Sequence, residues 1–234
     1  MHSYNPLVDK YSRQAAHYDR RWNRPVGDVT LQITLGAVPW EELKKVLDVG
    51  CGTGLLEEAI FPNLGSLFSV IGLDISLAML RQARGKLNGS PGVRWINGQA
   101  ENLPFEAASF DAVVCTNSFH YYRQPLKVLE EFHRVVRSDG WLVLVDWCND
   151  FLPCKVSQWF LQFVHRTGLH RYALERCYTM AECENLLRRA GFRVELAQRV
   201  RIHWGWGVMV YRARPQKSPG AEQGTAFEQS ALLR

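Results

Sequence analysis

Short apolar runs alternate along the chain with stretches in which apolar residues recur every three or four positions. The runs have the length and the β-branched content of buried strands. They fall at Lys45–Val49, Phe68–Leu73, Val93–Ile96, Phe110–Cys115 and Trp141–Val145. The stretches between them predict amphipathic helices, one of which begins at Pro125. Strands that alternate with helices predict a mostly parallel sheet with helices on both faces.

The alternation ends near the C-terminus. Thr179 and Glu182 have the spacing of a capping box, which predicts that a helix begins there. Two apolar runs, Phe192–Ala197 and Ile202–Tyr211, follow with no helix between them and predict a hairpin. We therefore expect an α/β protein with a Rossmann-like, doubly wound, mostly parallel seven-stranded sheet and one antiparallel strand in the C-terminal hairpin. Residues 1–212 would form this domain, and residues 213–234, rich in polar residues, would form a flexible tail.

Composition and charge narrow the class of protein. Of 234 residues, 47% are hydrophobic and 22% are charged, as in ordinary globular proteins. From Arg212 onward the chain has four basic and two acidic side chains, so this end carries 4 − 2 = +2 of the net charge of +5. The remaining +3 is too small to indicate a nucleic-acid partner.

Membrane, export and metal signals are weak in this sequence. No run approaches the ~18 apolar residues of a bilayer span, so no transmembrane segment is expected. The first residues lack the basic and apolar regions of a secretory signal. The spacing of the six cysteines matches neither a zinc site nor a redox pair. We therefore expect no metal and a reducing, cytoplasmic location.

A glycine-rich turn follows the first predicted strand. It contains Gly50, Gly52 and Gly54 just after Asp48, and Asp74 ends the next strand. In such sheets, glycines let the backbone approach a ligand, and an acid at the end of the second strand binds ribose hydroxyls. The spacing is G-x-G-x-G rather than that of a pyrophosphate loop, and Asp48 would repel a pyrophosphate. This favours S-adenosylmethionine (SAM), which carries two cationic groups, over a nicotinamide cofactor. An NAD(P)-dependent oxidoreductase is the less favoured alternative.

Several segments resemble the motifs of one family, the class I SAM-dependent methyltransferases, in its ubiquinone/menaquinone-methyltransferase-like (type 11) branch. The matching segments are Val46–Gly54, Gly72–Ser76, Gly98–Phe105, Phe110–Cys115 and Arg134–Gly140. Tyr11–Trp22 is similar to the N-terminal segment that folds over the cofactor in this family. The resemblance implies SAM as the cofactor.

The resemblance also implies a role for each matching residue. The residues that would hold the methionine end of SAM are Asp48, Gly50, Cys51, Gly52, Thr53 and Gly54. The residues that would bind the ribose, pack on the adenine and face its edge are Asp74, Ile75, Gln99 and Ala100. Thr116 and Asn117 would line the methionine or acceptor side. Gln99 departs from the usual Asp of the family, and its uncharged amide oxygen implies weaker cofactor binding.

His120 is the candidate catalytic residue. It lies four residues beyond Thr116, and histidine is the residue type best suited to exchange protons at neutral pH, so it could take a proton from a phenol or a carbon acid. Alternatively, it lines the pocket or bonds to a backbone carbonyl. The same segment lacks the Asn-Pro-Pro-aromatic and Pro-Cys motifs that mark methyltransferases of nucleic acids. No nucleic-acid substrate is therefore expected.

Two further segments complete the expected domain. Residues 1–40 would form an N-terminal helical cover. Residues 147–178 are rich in aromatic side chains, which would either roof an acceptor pocket or pack on the sheet. The predicted function is SAM-dependent O- or C-methylation of a small-molecule acceptor, aromatic or lipophilic in character. A SAM-binding protein without catalysis is the alternative, and the oligomeric state is left open.

Overall fold

A seven-stranded sheet forms the centre of the computed structural model, which describes residues 6–20, 24–64, 68–87, 89–156, 159 and 176–216. The strands are β1 Lys45–Val49, β2 Ser69–Asp74, β3 Val93–Asn97, β4 Phe110–Thr116, β5 Val136–Trp147, β6 Phe192–His203 and β7 Trp206–Pro215. Their spatial order is β3-β2-β1-β4-β5-β7-β6. The strands β1 to β5 pair in parallel, whereas β7 runs antiparallel between β5 and β6. The predicted fold class is confirmed.

Helices flank this sheet. They are α1 Pro6–Gln14, α2 Arg24–Ala37, α3 Leu55–Leu64, α4 Leu77–Lys86, α5 Pro125–Val135 and α6 Met180–Arg189. Local sequence sets where they begin: Ser76 Oγ accepts the Met79 N–H at α4, and Thr179 and Glu182 form the predicted capping box at α6. Among the described residues, no helix is both long and apolar enough to cross a bilayer.

Apolar side chains pack on both faces of the sheet. Successive residues of β1 divide between the two clusters, with Leu47 and Val49 on one face and Val46 on the other. The helices α5 and α6 cover the first face, where Phe132 and Leu187 are fully buried. The four residues from Val46 to Val49 and their neighbours in β4 are therefore fixed between two layers, which holds the ends of these strands in place.

The C-terminal hairpin differs from its predicted boundaries. The strand β6 continues through the polar stretch 198–201 to His203, and the turn lies at 204–205. The prediction of a break after Ala197 was wrong because β6 is an edge strand with one face in water. Backbone pairing with β7 does not require apolar side chains on that face. The strand β7 ends at Pro215, and residues 217–234, most of the predicted tail, lie outside the described part.

The strand β5 also starts earlier than predicted. Sequence patterning places a turn at Asp139 and Gly140, but β5 begins at Val136, directly after α5. The register against β4 moves from Phe110 opposite Val136 to Ala112 opposite Trp141. The four residues between Val136 and Trp141 form a bulge within the strand, so the polar pair is accommodated without a chain reversal.

Candidate active site

The glycine turn after β1 has a backbone that only glycine adopts readily. Gly50, Gly52 and Gly54 all have positive φ angles, of 80°, 57° and 76°. A Cβ at Gly50 would lie 2.5 Å from Ser118 Cβ, and one at Gly54 would lie 2.6 Å from the ring of Trp95. The turn is tied to the end of β2, because the Gly50 N–H donates to the Leu73 carbonyl (2.8 Å). It is thus held tightly against its neighbours, with its backbone at the carboxyl edge of the sheet.

Asp74, at the end of β2, accepts two backbone hydrogen bonds. Its Oδ2 accepts from the Gly52 N–H (2.9 Å) and its Oδ1 from the Ser76 N–H (2.7 Å). Burial raises the pKa of this carboxyl, and the two N–H groups partly offset that rise. Asp74 and the glycine turn, which the sequence analysis assigns to one cofactor site, are therefore in direct contact.

Two more buried carboxyls lie near this turn. Burial, and then the charge of Asp74, raise the pKa of Asp48 to about 7. Glu57, in the first turn of α3, is also fully buried, and neither of its carboxyl oxygens has a hydrogen-bond partner among the described residues. Burial, and then Asp48, raise the pKa of Glu57 well above its usual range. The burial of this charged residue follows from Gly72: Trp95 and Glu57 fill the space that the missing side chain of Gly72 leaves.

The predicted adenine residues lie beside the end of β2. The Asn97 side chain donates to the carbonyls of Asp74 and Ile75 (both 2.9 Å), which joins the end of β3 to that of β2. Gln99 and Ala100 follow directly, the first exposed and the second buried. An exposed amide next to a half-buried Ile75 suits the edge and face of a planar base.

Thr116 and Asn117 end β4 and contact α2. Thr116 Oγ1 lies 3.1 Å from Thr34 Oγ1, and the Asn117 amide donates to Thr30 Oγ1 (2.7 Å). Asn117 has a positive φ of 53°, which Asn tolerates better than most residues. Its buried Oδ1 has no hydrogen-bond partner among the described residues. This oxygen is an acceptor that a ligand ammonium group would satisfy.

The N-terminal segment lies over the glycine turn. The Thr53 hydroxyl donates to Asp19 Oδ1 (2.6 Å), and Asp19 also pairs with Lys86 of α4 (2.5 Å). The Tyr11 hydroxyl donates to that of Tyr121, beyond β4. The segment is therefore fastened to both the turn and the loop after β4. Sequence reasoning found the segment but not these contacts.

His120 lies in a short 3-10 helix, Phe119–Tyr121, one strand away from the glycine turn. It is buried, and its Nδ1 lies 2.6 Å from Oδ1 of Asp146, near the end of β5. The other oxygen of Asp146 accepts the His120 backbone N–H (3.0 Å). A carboxylate only accepts, so we infer that Nδ1 carries the proton and Nε2 is the basic nitrogen. The partner of the His120 Nδ1 is thus a buried carboxylate.

Asp146 is the site residue that sequence reasoning missed. The sequence does contain a signal for it: Asp146 is an acidic residue that directly follows the apolar run Trp141–Val145, just before β5 ends. The strands β4 and β5 are parallel neighbours, with Thr116 opposite Val145, so their carboxyl ends meet. An acid there and a histidine in the loop after β4 are brought together by the pairing.

The twelve residues predicted to bind the cofactor all lie at one edge of the sheet, and His120 lies beside them. The strands β3, β2, β1 and β4, whose carboxyl ends carry the first group, are adjacent in this order, and β5 supplies Asp146. The raised pKa of Asp48 and the unpartnered oxygen of Asn117 both fit a ligand with a positive charge. Fold and site together define a Rossmann-like protein with a site for a cationic adenosine cofactor.

Comparison with known proteins gives the family. Residues 47–144 match the model of the family described as "Methyltransferase domain". An uncharacterized protein of Mycobacterium tuberculosis is 31% identical over 227 residues, which is 95% of this chain and 73% of that protein. The chain belongs to the class I SAM-dependent methyltransferases, in the type 11 branch, and SAM is the methyl donor of this family.

Other relatives are methyltransferases by name. A demethylmenaquinone methyltransferase of Renibacterium salmoninarum is 37% identical over 130 residues, which is 56% of this chain and 49% of that protein. This chain therefore spans about half the length of that relative. A SAM-dependent methyltransferase structure from Thermotoga maritima has the same fold, with a TM-score of 0.69 and 22% identity, over 89% of this chain and 98% of that chain.

Proposed function

We propose that the protein transfers a methyl group from SAM to an oxygen or carbon of a small aromatic or lipophilic acceptor. The observation that carries the proposal is the buried pair of His120 and Asp146, next to the glycine turn. A cofactor site alone would serve a binding protein. A buried histidine held by a carboxylate at the same edge adds the group that an acceptor needs to lose a proton.

The residues of the turn would hold SAM as follows. Asp74 would accept the ribose hydroxyls, Gln99 would face the adenine edge, and the Asn117 oxygen would accept from the ammonium group. Asp48 would favour the cationic end, since a nearby positive charge stabilises its ionised form. The bound cofactor supplies a methyl group that is already activated by the sulfonium. The protein therefore needs chiefly to align the acceptor and to exclude water.

His120 would act as the general base. Because Asp146 accepts from Nδ1, Nε2 would be the nitrogen that takes the acceptor's proton, and the carboxylate would stabilise the imidazolium that forms. The His120 backbone N–H to Asp146 bond fixes the ring's position relative to the strand ends. Such proton transfer contributes roughly 10²- to 10⁴-fold to a rate.

Aromatic side chains near His120 support an aromatic or lipophilic acceptor. The Tyr121 ring lies 3.9 Å from the His120 ring, and Tyr11 packs edge-on against Tyr121 at 5.5 Å between centroids. The relatives that are named demethylmenaquinone methyltransferase also support an acceptor of this kind. These contacts make a wall of flat apolar surface with a few polar groups, as small-molecule sites have.

The predicted segments take their place in this proposal. Residues 1–40 would cover the cofactor, and residues 147–178 would cap the acceptor side. The strand β7 includes residues 213–215 of the predicted tail, so the tail would comprise residues 216–234. Within the cap, 157–158 and 160–175 lie outside the described residues. A cytoplasmic location is supported by the thiols of Cys51, Cys115, Cys148, Cys154 and Cys183, which are free and buried.

Thermal unfolding with SAM, its demethylated product or NAD tests the cofactor. At about 100 times Kd a ligand adds ~2.7 kcal/mol, which raises the Tm of a domain this size by roughly 5–11 °C. We expect a shift with SAM and its product and none with NAD; the reverse would overturn the proposal. Turnover with methyl-labelled SAM and a metabolite extract then separates an enzyme from a SAM-binding protein. A labelled product is expected, and its absence despite SAM binding would favour the binding protein.

A further inference from the structure

The turn of the β6–β7 hairpin presents two tryptophans to water. Trp204 is 78% exposed and Trp206 is 40% exposed. Tryptophan buries more apolar surface than any other side chain, so such exposure usually marks a contact with something else. The Trp206 ring leans edge-on against Trp147 at 5.9 Å between centroids, which holds it in this outward position.

A short helical segment beside this turn adds more apolar surface. Leu152 and Val156, in the helical residues 152–156, are 72% and 57% exposed. A Cβ at Gly205 would lie 2.6 Å from Pro153, and one at Gly207 would lie 2.2 Å from the Phe151 ring. The helical segment is therefore packed against the hairpin. Leu152, Val156, Trp204 and Trp206 form the surface that we call the tryptophan tip.

The tryptophan tip lies at the same edge of the sheet as the active site. Trp147, the last residue of β5, is paired with Val208 near the start of β7, so the hairpin turn extends beyond the end of β5. Asp146, one residue earlier, holds His120. The tip and the acceptor side of the site thus open in the same direction.

All exposed charges of these two segments are positive. Lys155 lies between Leu152 and Val156, and Arg199 and Arg201 lie on β6 just before the turn. Residues 151–156 and 197–207 contain no Asp or Glu. The Arg199 guanidinium lies 5.3 Å from the centre of the Phe151 ring, so this charge is held next to the apolar patch.

We propose that the tryptophan tip docks on the surface of an anionic phospholipid bilayer. Trp at the headgroup level and basic side chains beside it are the two features that bind proteins to such surfaces. A second copy of this chain on the same patch would bring like charges together, which disfavours self-association. Docking would turn the acceptor side of the site toward the lipid, and this consequence alone rests on the proposed function.

Vesicle sedimentation of the full chain, without SAM or acceptor, tests the docking. We expect binding to phosphatidylcholine vesicles that contain phosphatidylglycerol, weak binding to phosphatidylcholine alone, and loss of binding at high salt. Trp204→Ser with Trp206→Ser should weaken partitioning at least about tenfold, which corresponds to ~1.4 kcal/mol. Arg199→Gln with Arg201→Gln should weaken it on anionic vesicles only.

Matched controls keep the outcome interpretable. Leu77→Ser removes an exposed apolar side chain at the start of α4, and Arg193→Gln removes an exposed charge at the far end of β6; both should bind vesicles like the parent protein. Thermal unfolding of each variant checks that it folds. The proposal is overturned if the parent protein does not sediment with anionic vesicles or if the double tryptophan variant binds unchanged. A dimer in light scattering that the tryptophan variant abolishes would replace the bilayer with a second copy. SAM binding is measured separately, so its failure would not affect this result.

Discussion

The carboxyl edge of the sheet has two halves, one around β1 and β2 and one around β4 and β5, which differ in the groups that they present. Around β1 and β2, the glycine turn presents its backbone and lies near three carboxyls, those of Asp48 and Glu57, which are buried, and that of Asp74, which is half-buried. Around β4 and β5, side chains from separate segments make the arrangement: His120, Asp146 and nearby aromatic rings. We propose that the first half, together with Asn117 after β4, holds SAM, and that the side chains around His120 and Asp146 bind and deprotonate the acceptor. The comparison indicates that the cofactor common to the family is bound by local backbone geometry. The acceptor particular to this protein is bound by side chains that strand pairing brings together.

The sharpest way to break this division is Asp74→Ala. The change removes two charge-assisted hydrogen bonds to ribose at about 1.5–3 kcal/mol each, so SAM affinity should fall roughly 10²- to 10⁴-fold. Isothermal titration measures it. Asp111→Ala is the matched control, because Asp111 also accepts from two backbone N–H groups, those of Lys44 and Lys45, but at the opposite edge. Equal affinity of the Asp74 variant and the parent would remove Asp74 from the cofactor site.

Asp146→Asn tests the acceptor half. The amide no longer holds the Nδ1–H tautomer or the imidazolium charge, so kcat should fall roughly 10²-fold while SAM affinity is retained. Asp150→Asn is the control: Asp150 accepts the Met180 N–H (2.9 Å) and does not bond to His120 among the described residues. If both variants lose the same activity, or if the Asp146 variant loses SAM affinity instead, Asp146 is not a positioning residue for catalysis.

Asp48→Asn sharpens the comparison through pH. The folded-state pKa of Asp48 is raised to about 7. Ionisation therefore destabilises the SAM-free protein: this penalty is absent below the unfolded pKa of about 3.9, grows as pH rises, and is complete above about pH 7. The variant lacks this penalty. Its gain in unfolding free energy over the parent protein should therefore be about 1–3 kcal/mol larger at pH 8 than at pH 5, as chemical unfolding of both proteins at the two pH values would show.

The same variant should bind SAM less well. In the parent protein, a bound cation favours ionised Asp48, so SAM affinity should rise between pH 6 and pH 8, by at most about tenfold per pH unit below pH 7. Asp48→Asn should be weaker at pH 8 and nearly independent of pH. A parent protein with flat affinity, or a variant without the stability gain at pH 8, would contradict the role of Asp48.

The smallest expected effect lies in the scaffold of the acceptor half. Thr179→Ala removes the side chain that accepts the Glu182 N–H (3.2 Å) at the start of α6. It should lower the free energy of unfolding by about 1 kcal/mol and leave SAM affinity unchanged. Urea unfolding and titration measure the two quantities. An altered SAM affinity would show that the cofactor half and the acceptor half of the site are energetically coupled, which would contradict their separation.

The sequence predicted the sheet and the glycine turn because both depend on local patterns. Apolar runs mark buried strands, and a turn with three left-handed residues requires glycines at fixed positions. The hairpin boundary was missed because an edge strand tolerates polar residues such as Arg199 and Arg201 on its open face. The burial of Glu57 has no local signal in the sequence, because it depends on Gly72 in β2 and Trp95 in β3.

The acceptor half was predicted only in part for the same reason. His120 was found from its position after β4, whereas its partner Asp146 lies 26 residues further on and contacts it only through the pairing of β4 with β5. No local pattern encodes that distance. The contacts of the N-terminal segment through Asp19 depend on packing between distant segments as well. Such contacts become visible only when the strand order is known.

The most direct test of the whole account is the rate of label transfer from methyl-labelled SAM by His120→Asn at saturating SAM. We expect a rate roughly 10²- to 10⁴-fold below that of the parent protein, because the acceptor's proton has lost its base. Its SAM Kd should stay within about twofold of the parent value, since His120 belongs to the other half of the site. A rate equal to the parent's would contradict the central claim that the His120–Asp146 pair performs the proton transfer.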